Sequence, residues 1–569
     1  MSLLRRGVCA VLLLAGVSTL PAQAAEVHST EAGQRIYREG ILPSGLPLHA
    51  TVEQDVALVG ARAACINCHR RSGYGATEGN RIVPPVRAGY LFGNLSSGNP
   101  AQRGQLSERS SLPTSYDPAT FKRALREGMH FSGRPLSALM PRYVLTDADL
   151  DLLVDYLRTL SDDAPPGVTD KEIHFATIVT EGVPKAQRHA LLSVMNAFFE
   201  KQNAERAKST SLTVRTALGH GRLYRAIHQW RLHVWELKGA PESWPGQMDR
   251  YYREQPVYAV IGGVGRGEWQ TIHAHCERLT LPCLFPNPEH LETIDNDFFS
   301  VYFTRGIAQE AELLAHTLLK QPRDKPQRIL QIYRGHDSGA LAAQSLRHAL
   351  AGAQQFEFHH YDLDSMSGDD TAFWKLLPAE QNTILVLWLR PEDLAQLPNL
   401  AGTDAALYLS GTLLGQSTEV IPVPLRRQTR VLFLHELPAH WQDRRKRVAA
   451  LLASYGLPLQ DERIQTNTLV ALTLVSRVLT HMRENLAREL LIERIEHTVQ
   501  SSSWSSPYPQ LSLGPGQRVA SRGGFQLRLQ DDGSYPAQGE WIVPEAVARQ
   551  FDGTGLLQPS AQVIQPKTF

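Results

Sequence analysis

The residues whose types and spacing point most directly to chemistry are Cys65-Ile66-Asn67-Cys68-His69. Two thiols separated by two residues can add across both vinyl groups of a haem, and the adjacent imidazole then reaches the iron as its proximal ligand. A group held this way handles single electrons. Two other chemistries use a CxxC. A structural zinc needs four ligands, and no second close Cys or His pair stands nearby. A thioredoxin-type dithiol opens a helix after a strand in an α/β unit, whereas the surrounding sequence reads as helical. The motif occurs once in the chain, which speaks against a two-haem peroxidase.

A haem held by Cys65, Cys68 and His69 needs a second axial ligand, a helix pair and apolar cover. The sixth ligand must be a soft or imidazole donor on a loop reaching the far face. Met129, His130 and Met140 are the candidates, and Met140 is favoured because the residue before Pro141 is held extended and rigid. Met129 ends an amphipathic stretch with Phe121 and Leu125, where a core role is expected. Paired His/Met ligation raises the reduction potential relative to two histidines and leaves no open iron position for ligand activation. Thr146-Asp147-Ala148-Asp149 reads as a capping box. Leu150, Leu153, Val154, Leu157 and Leu160 follow at helical spacing. An earlier helix at about 29–39 carries Gly33 and Tyr37, which would let the two helices cross closely. An all-α unit is expected here.

The compartment is read from the first residues. Arg5 and Arg6 precede an apolar run from Val8 to Leu20, ending in Pro21-Ala22-Gln23-Ala24-Ala25. Residues 1–24 therefore read as a secretory signal peptide and imply a periplasmic location with no membrane span. The 569-residue chain is too long for one core. Charge is balanced, with 58 basic against 57 acidic residues, which argues against nucleic acid as a partner. Cys276 and Cys283 are the remaining mature cysteines; in an oxidising compartment a disulfide is the default, and two buried thiols the alternative.

Residues 26–163 form the haem unit and 164–170 a linker, marked by Pro165-Pro166-Gly167. From 171 to 499 the texture changes. Strand candidates at 173–180, 211–218, 257–263, 282–285, 328–333, 355–361, 382–389, 405–410 and 429–435 alternate with helical segments at 184–203, 268–279, 307–320 and 338–351. This alternation implies parallel sheets, and two lobes would share nine strands naturally. A helical stretch at about 440–496 closes the region. Residues 500–569 form a C-terminal extension with strand candidates at 524–529 and 540–543. No GxSxG, HExxH or phosphate-binding glycine loop is present. His359 and His360 are adjacent in a strand candidate and should face opposite sides, so a shared metal is not expected. Arg444-Arg445-Lys446-Arg447 reads as a solvated helix face.

The run Ala64 to Gly73 resembles class I c-type cytochromes of the bacterial periplasm, as do Gly133-Arg134-Pro135-Leu136, Met140-Pro141-Arg142-Tyr143 and the helix start at Leu145–Leu150. The resemblance implies one covalent haem c, with His69 and Met140 as axial ligands and Pro84-Pro85 at the haem edge. The longer segment resembles type 1 periplasmic binding proteins, the two-lobed receptors for branched-chain amino acids, through Val257–Gly263, Leu281–Pro286 and Ile329–Tyr333. That resemblance implies a ligand cleft at loops beyond the strand ends, lined by Gly263, Arg266, Arg305, Ser338 and Ser410. Asp337-Ser338 also reads as a helix N-cap. The turn Gly263-Val264-Gly265-Arg266-Gly267 lacks the Ser/Thr grip of those receptors, which weighs against an amino-acid ligand. Ser512–Gln517 and Trp541–Pro544 resemble relatives associated with PQQ-dependent alcohol oxidation. The expected function is a periplasmic electron carrier whose second module holds a small ligand or a redox partner, a dehydrogenase or a terminal acceptor. The alternatives are a transport receptor with an accessory haem, and an enzyme whose haem accepts electrons from a substrate in the cleft.

Overall fold

The computed structural model describes residues 21–53, 55–78, 81–93, 115–209, 228–292, 297–321, 326–365, 383–394, 405–415, 418–482, 485–501 and 506–544. Residues 1–20 of the expected signal peptide, the strand candidate 211–218 and residues 94–114 fall outside them. The chain divides into two compact units, Met1–Asp163 and Ala164–Phe569.

The first unit is built on two crossing helices, α1 (Pro21–Glu39) and, in the order introduced below, the terminal α4. Between them come β1 (His49–Val52), β2 (Val56–Val59), the one-turn helix α2 (Ile66–His69), α3 (Pro118–Glu127), β3 (Arg142–Val144) and then α4 (Asp147–Thr159). Thr146 caps α4 through the Asp149 N–H, and the Asp149 carboxylate returns to the Thr146 N–H, closing the expected box. Gly33 lies where the helices cross. A Cβ there would fall 2.0 Å from the Leu152 carbonyl oxygen, so only glycine fits. One turn on, Tyr37 packs its ring 5.3 Å from that of Tyr156. The unit is not all-helical as expected. β1 pairs antiparallel with both β2 and β3, and Ala50, Leu58 and Tyr143 stand in register across the sheet. Its inner face, with Ala50 and Tyr143, joins Ile36, Leu48, Phe121 and Leu150 in one core. Strands of three or four residues carry too little periodicity to read from sequence.

The second unit holds two sheets. The first is wholly parallel and built from β4 (Glu172–Thr180), β5 (Gln229–Leu237), β6 (Ala259–Ile261), β7 (Val264–Glu268), β8 (Cys283–Leu284), β9 (Asn287–His290) and β10 (Ser300–Val301), in the order β9-β7-β4-β6-β8-β10 with β5 on β4. β7 and β9 continue the lines of β6 and β8 after breaks at Gly262-Gly263 and Phe285-Pro286. The second sheet runs β12-β11-β13-β14-β15-β16, with β11 (Gln327–Tyr333), β12 (Phe356–Asp362), β13 (Thr383–Trp388), β14 (Ala406–Ser410), β15 (Thr429–Phe433) and, antiparallel at the edge, β16 (Phe525–Arg528). All six residues of β13 are buried, the unbroken apolar run of a strand covered on both faces. The helical stretch at 440–496 resolves into three helices, Pro438–Ser454, Glu462–Met482 and Arg488–Ser501. The strand β5 was not among the sequence expectations, although its alternation of Trp230, Leu232 and Val234 with Gln229, Arg231 and His233 carries the period-2 signal. Cys276 and Cys283 are disulfide-bonded with Cα atoms 6.3 Å apart, tying the helix Gln270–Arg278 to β8.

Glu310 opens the helix Ile307–Lys320 and is wholly buried. Its carboxyl receives the Ser410 hydroxyl, the Thr412 N–H at 2.9 Å and the Thr412 hydroxyl at 2.8 Å. Burial raises its pKa from 4.5 to about 7, against the opposing pull of those donors. Between pH 4.5 and 7 the native chain holds a proton that the unfolded chain releases, so stability falls as pH rises across that window. Glu310→Gln should remove this dependence. The melting-temperature difference, variant minus parent, is expected to be more positive at pH 8 than at pH 5. Equal differences at both pH values would refute the assignment.

Candidate functional site

Cys65 precedes the single turn α2, so Cys65, Cys68 and His69 project from one helical turn at i, i+3 and i+4. His69 is buried, and its Nδ1 lies 3.0 Å from the Pro84 carbonyl oxygen. That acceptor places the ring proton on Nδ1 and leaves the lone pair on Nε2. Among the described residues Nε2 is buried without a hydrogen-bond partner. Burial lowers the imidazole pKa and keeps the ring neutral. A neutral ring with an oriented Nδ1–H and an orphaned Nε2 is what an iron ligand requires, so these residues fit a haem c. Burial pushes the Cys65 thiol up to about 11, with Tyr143 hydrogen-bonded to it. Tyr37 holds the turn from behind, its hydroxyl donating to the Arg70 carbonyl at 2.7 Å.

The Pro84 loop is held by a residue that sequence reasoning passed over. Arg87 is buried and donates to the Ser72 carbonyl at 2.7 Å, to the Ser161 carbonyl and to the Asp162 carboxylate at 2.7 Å. It thereby joins the segment after the CxxCH, the loop that orients His69 and the end of α4. Three donors on one fork explain why an arginine sits there.

Of the sixth-ligand candidates, Met140 is half-buried against the core of this unit. His130 has its Nδ1 engaged within its own turn, 2.7 Å from the Ser132 hydroxyl. Met129 pairs through its backbone with Pro135. The Met140 loop is organised by Arg142, whose guanidinium donates to the Met140 carbonyl and to the Ser137 carbonyl at 3.4 Å. It lies against Gly128, where a Cβ would fall 2.0 Å from the guanidinium carbon. Gly128 is also the left-handed cap of α3, with φ +73°.

In the second unit the expected cleft residues separate. Ser338 and Arg266 approach the junction of the two sheets, Ser338 bonded to Glu289 at 2.5 Å and Arg266 3.9 Å from Asp337. Gly263 instead accepts from the Asn287 backbone and side chain at 2.9 and 3.2 Å. Arg305 pairs with Glu312, and Ser410 caps a short helix while bonding Glu310. Asp337 occupies the N-cap position of the helix Ser338–Ala349 but makes no side-chain cap; its carboxylate binds Arg390. Sequence reasoning missed Glu289 and Arg390, which carry the charge at this junction. His359 pairs with Glu357 at 2.9 Å, and Arg444 and Arg445 pair with Glu436 and Glu462. Among the described residues no group of three or more His, Cys, Asp or Glu side chains could hold a metal ion. None of their helices is long and apolar enough to cross a membrane.

No curated protein matches the chain. Similar solved structures include a fatty acid ABC transporter substrate-binding protein from Thermomonospora curvata, 14% identical, covering 68% of this chain and 96% of that one at a TM-score of 0.45. A branched chain amino acid ABC transporter protein from Thermus thermophilus with bound valine is 10% identical, covering 67% and 99% at 0.47. A leucine binding protein from Thermotoga maritima is 12% identical, covering 66% and 99% at 0.44. The architecture of the second unit stands on its own strand order. Residues 57–161 match the family model for cytochrome c, and this chain therefore carries a cytochrome c domain around Cys65, Cys68 and His69.

Proposed function

We propose that this protein is a periplasmic electron carrier with one covalent haem c, thioether-linked through Cys65 and Cys68 and ligated by His69 and Met140. The observation that carries this is His69, held neutral through Nδ1 with Nε2 buried and unpartnered, inside the matched cytochrome segment. The haem supplies a one-electron couple when bound. The chain orients the ligating imidazole through Pro84, holds the Met140 loop through Arg142 and covers the pocket with apolar side chains. The leader pattern before Ala25 and the Cys276–Cys283 disulfide support an oxidising compartment. The α/β unit serves the carrier as a module for a small ligand or for a redox partner such as a periplasmic dehydrogenase or a terminal electron acceptor.

Protein isolated from the periplasm and denatured should keep its haem and show a reduced c-type α-band; haem lost on denaturation would overturn the proposal. Met140→Ala should retain covalent haem yet lose the weak sulfur–iron absorption of the oxidised state. Persistence of that absorption would move the ligand to Met129.

Arg142→Ala should leave the absorption present in the cold but lost at lower temperature than in the parent. Two carbonyl hydrogen bonds from a charged donor are at stake, about 2 kcal/mol of loop opening. Arg142→Lys should recover part of it. An unchanged temperature profile would show that Arg142 does not hold the loop.

A further inference from the structure

Strand β9 is buried along its whole length although it reads Asn-Pro-Glu-His. Its pairing with β7 shifts register between Pro288 and His290, and the extra residue lies in β7, where Arg266 and Gly267 stand opposite Glu289. Glu289 reaches Ser338 at 2.5 Å and His290 reaches Ser345 at 3.1 Å, two turns apart on one helix of the other sheet's layer. The backbone behind is fixed, since a Cβ on Gly306 would fall 2.1 Å from the Glu289 carbonyl oxygen.

The Glu289 carboxylate is surrounded by donors from both sides of the junction. Arg390 gives Nη1 to Oε1 at 3.2 Å and Nη2 to Oε2 at 2.9 Å. Ser338 gives its hydroxyl, and the Gly267 N–H is shared between the Ser338 Oγ at 3.2 Å and Oε2 at 3.4 Å. The Glu289 side chain is 10% exposed. Asp337 takes the other edge of Arg390 at 2.6 and 2.7 Å. Hydrogen bonds from Arg390 hold the Asp337 carboxyl below its usual range in spite of burial, and the two carboxylates raise the Arg390 pKa. A guanidinium fork, a hydroxyl and a backbone N–H converging on two oxygens form the donor set that recognises a free carboxylate.

We infer that the lobe junction of the α/β unit is a carboxylate-binding site permanently filled by the chain's own Glu289. The unit therefore does not take a free amino acid or organic acid at this junction. Arg390, Ser338 and Gly267 receive a tethered ligand, and the two lobes stay latched without any solute. The module is left to present one closed shape to a partner. This goes beyond the electron-carrier proposal and does not depend on the haem assignment.

Removing the tethered carboxylate should expose the site to soluble ones. In full-length haem-loaded protein, Glu289→Ala is expected to melt below the parent, because Arg390 keeps only Asp337. Millimolar acetate or propionate, against equal chloride, should then raise the variant's melting temperature by a few degrees and leave the parent unmoved. Arg390→Met added to Glu289→Ala should abolish the response. If Glu289→Ala folds only in acetate and not in chloride, that is the same result in stronger form. Three outcomes overturn the inference: a parent stabilised by amino acids or acetate through Arg390, a folded Glu289→Ala indifferent to carboxylates, or a Glu289→Ala that folds in neither salt while Glu289→Gln folds. The haem α-band in the same samples should be the same in every variant, so a lost band would instead count against the haem reading.

Discussion

An imidazole offers Nε2 to a metal with its proton on the other nitrogen, and the bond from His69 Nδ1 to the Pro84 carbonyl fixes that tautomer and the ring orientation. The first unit is arranged around that bond. Arg87 fixes the Pro84 loop by joining it to Ser72 and to the end of α4. α4 in turn is fixed by the Gly33 crossing and by its capping box. A backbone acceptor suits the role better than a carboxylate would. It sets the tautomer without adding a charge that would draw the proton toward imidazolium.

The second unit solves a different problem, how late helices and the C-terminal segment come to hold one arrangement on the first sheet. Apolar packing alone leaves many near-equal solutions. Here buried arginines choose among them. Arg488 gathers the carbonyls of Pro166, Val257, Tyr258 and Thr280, binding the unit's first residues to a late helix. Arg518 joins Glu496 to the carbonyls of Phe298 and Gly514. Such groups contribute little net stability once desolvation is counted, yet an unpaired guanidinium is costly, so alternatives that strand one are excluded.

What sequence could reveal follows from the range of the forces involved. The CxxCH turn, the Thr146 box and the Gly33–Tyr37 spacing are local patterns governed by one or two helical turns, and they were legible. The sheet of the first unit was not, because Thr51 finds Arg142 only after the chain has folded. Glu289 was hidden for the same reason. Its partner Arg390 lies 101 residues away, and a run containing Pro288 reads as a turn rather than a strand. Cleft residues named by resemblance fared unevenly, since Arg305 and Ser410 each meet an acidic neighbour that no spacing announces.

A receptor that opens and closes on a solute must have cleft donors that are satisfied by water when open and by ligand when closed. In this chain the Arg390 fork, the Ser338 hydroxyl and the Gly267 N–H are met by Glu289 and by one another. Opening would separate Glu289 from Arg390 with nothing to replace it but water, while a soluble carboxylate would have to displace a tethered one of high effective concentration. Capture and release are thus disfavoured by the same contacts that hold the lobes together. The proposed electron carrier has no need of that motion. A fixed module can instead select a partner by shape, and the latched lobes provide a shape that does not change with the solutes around it.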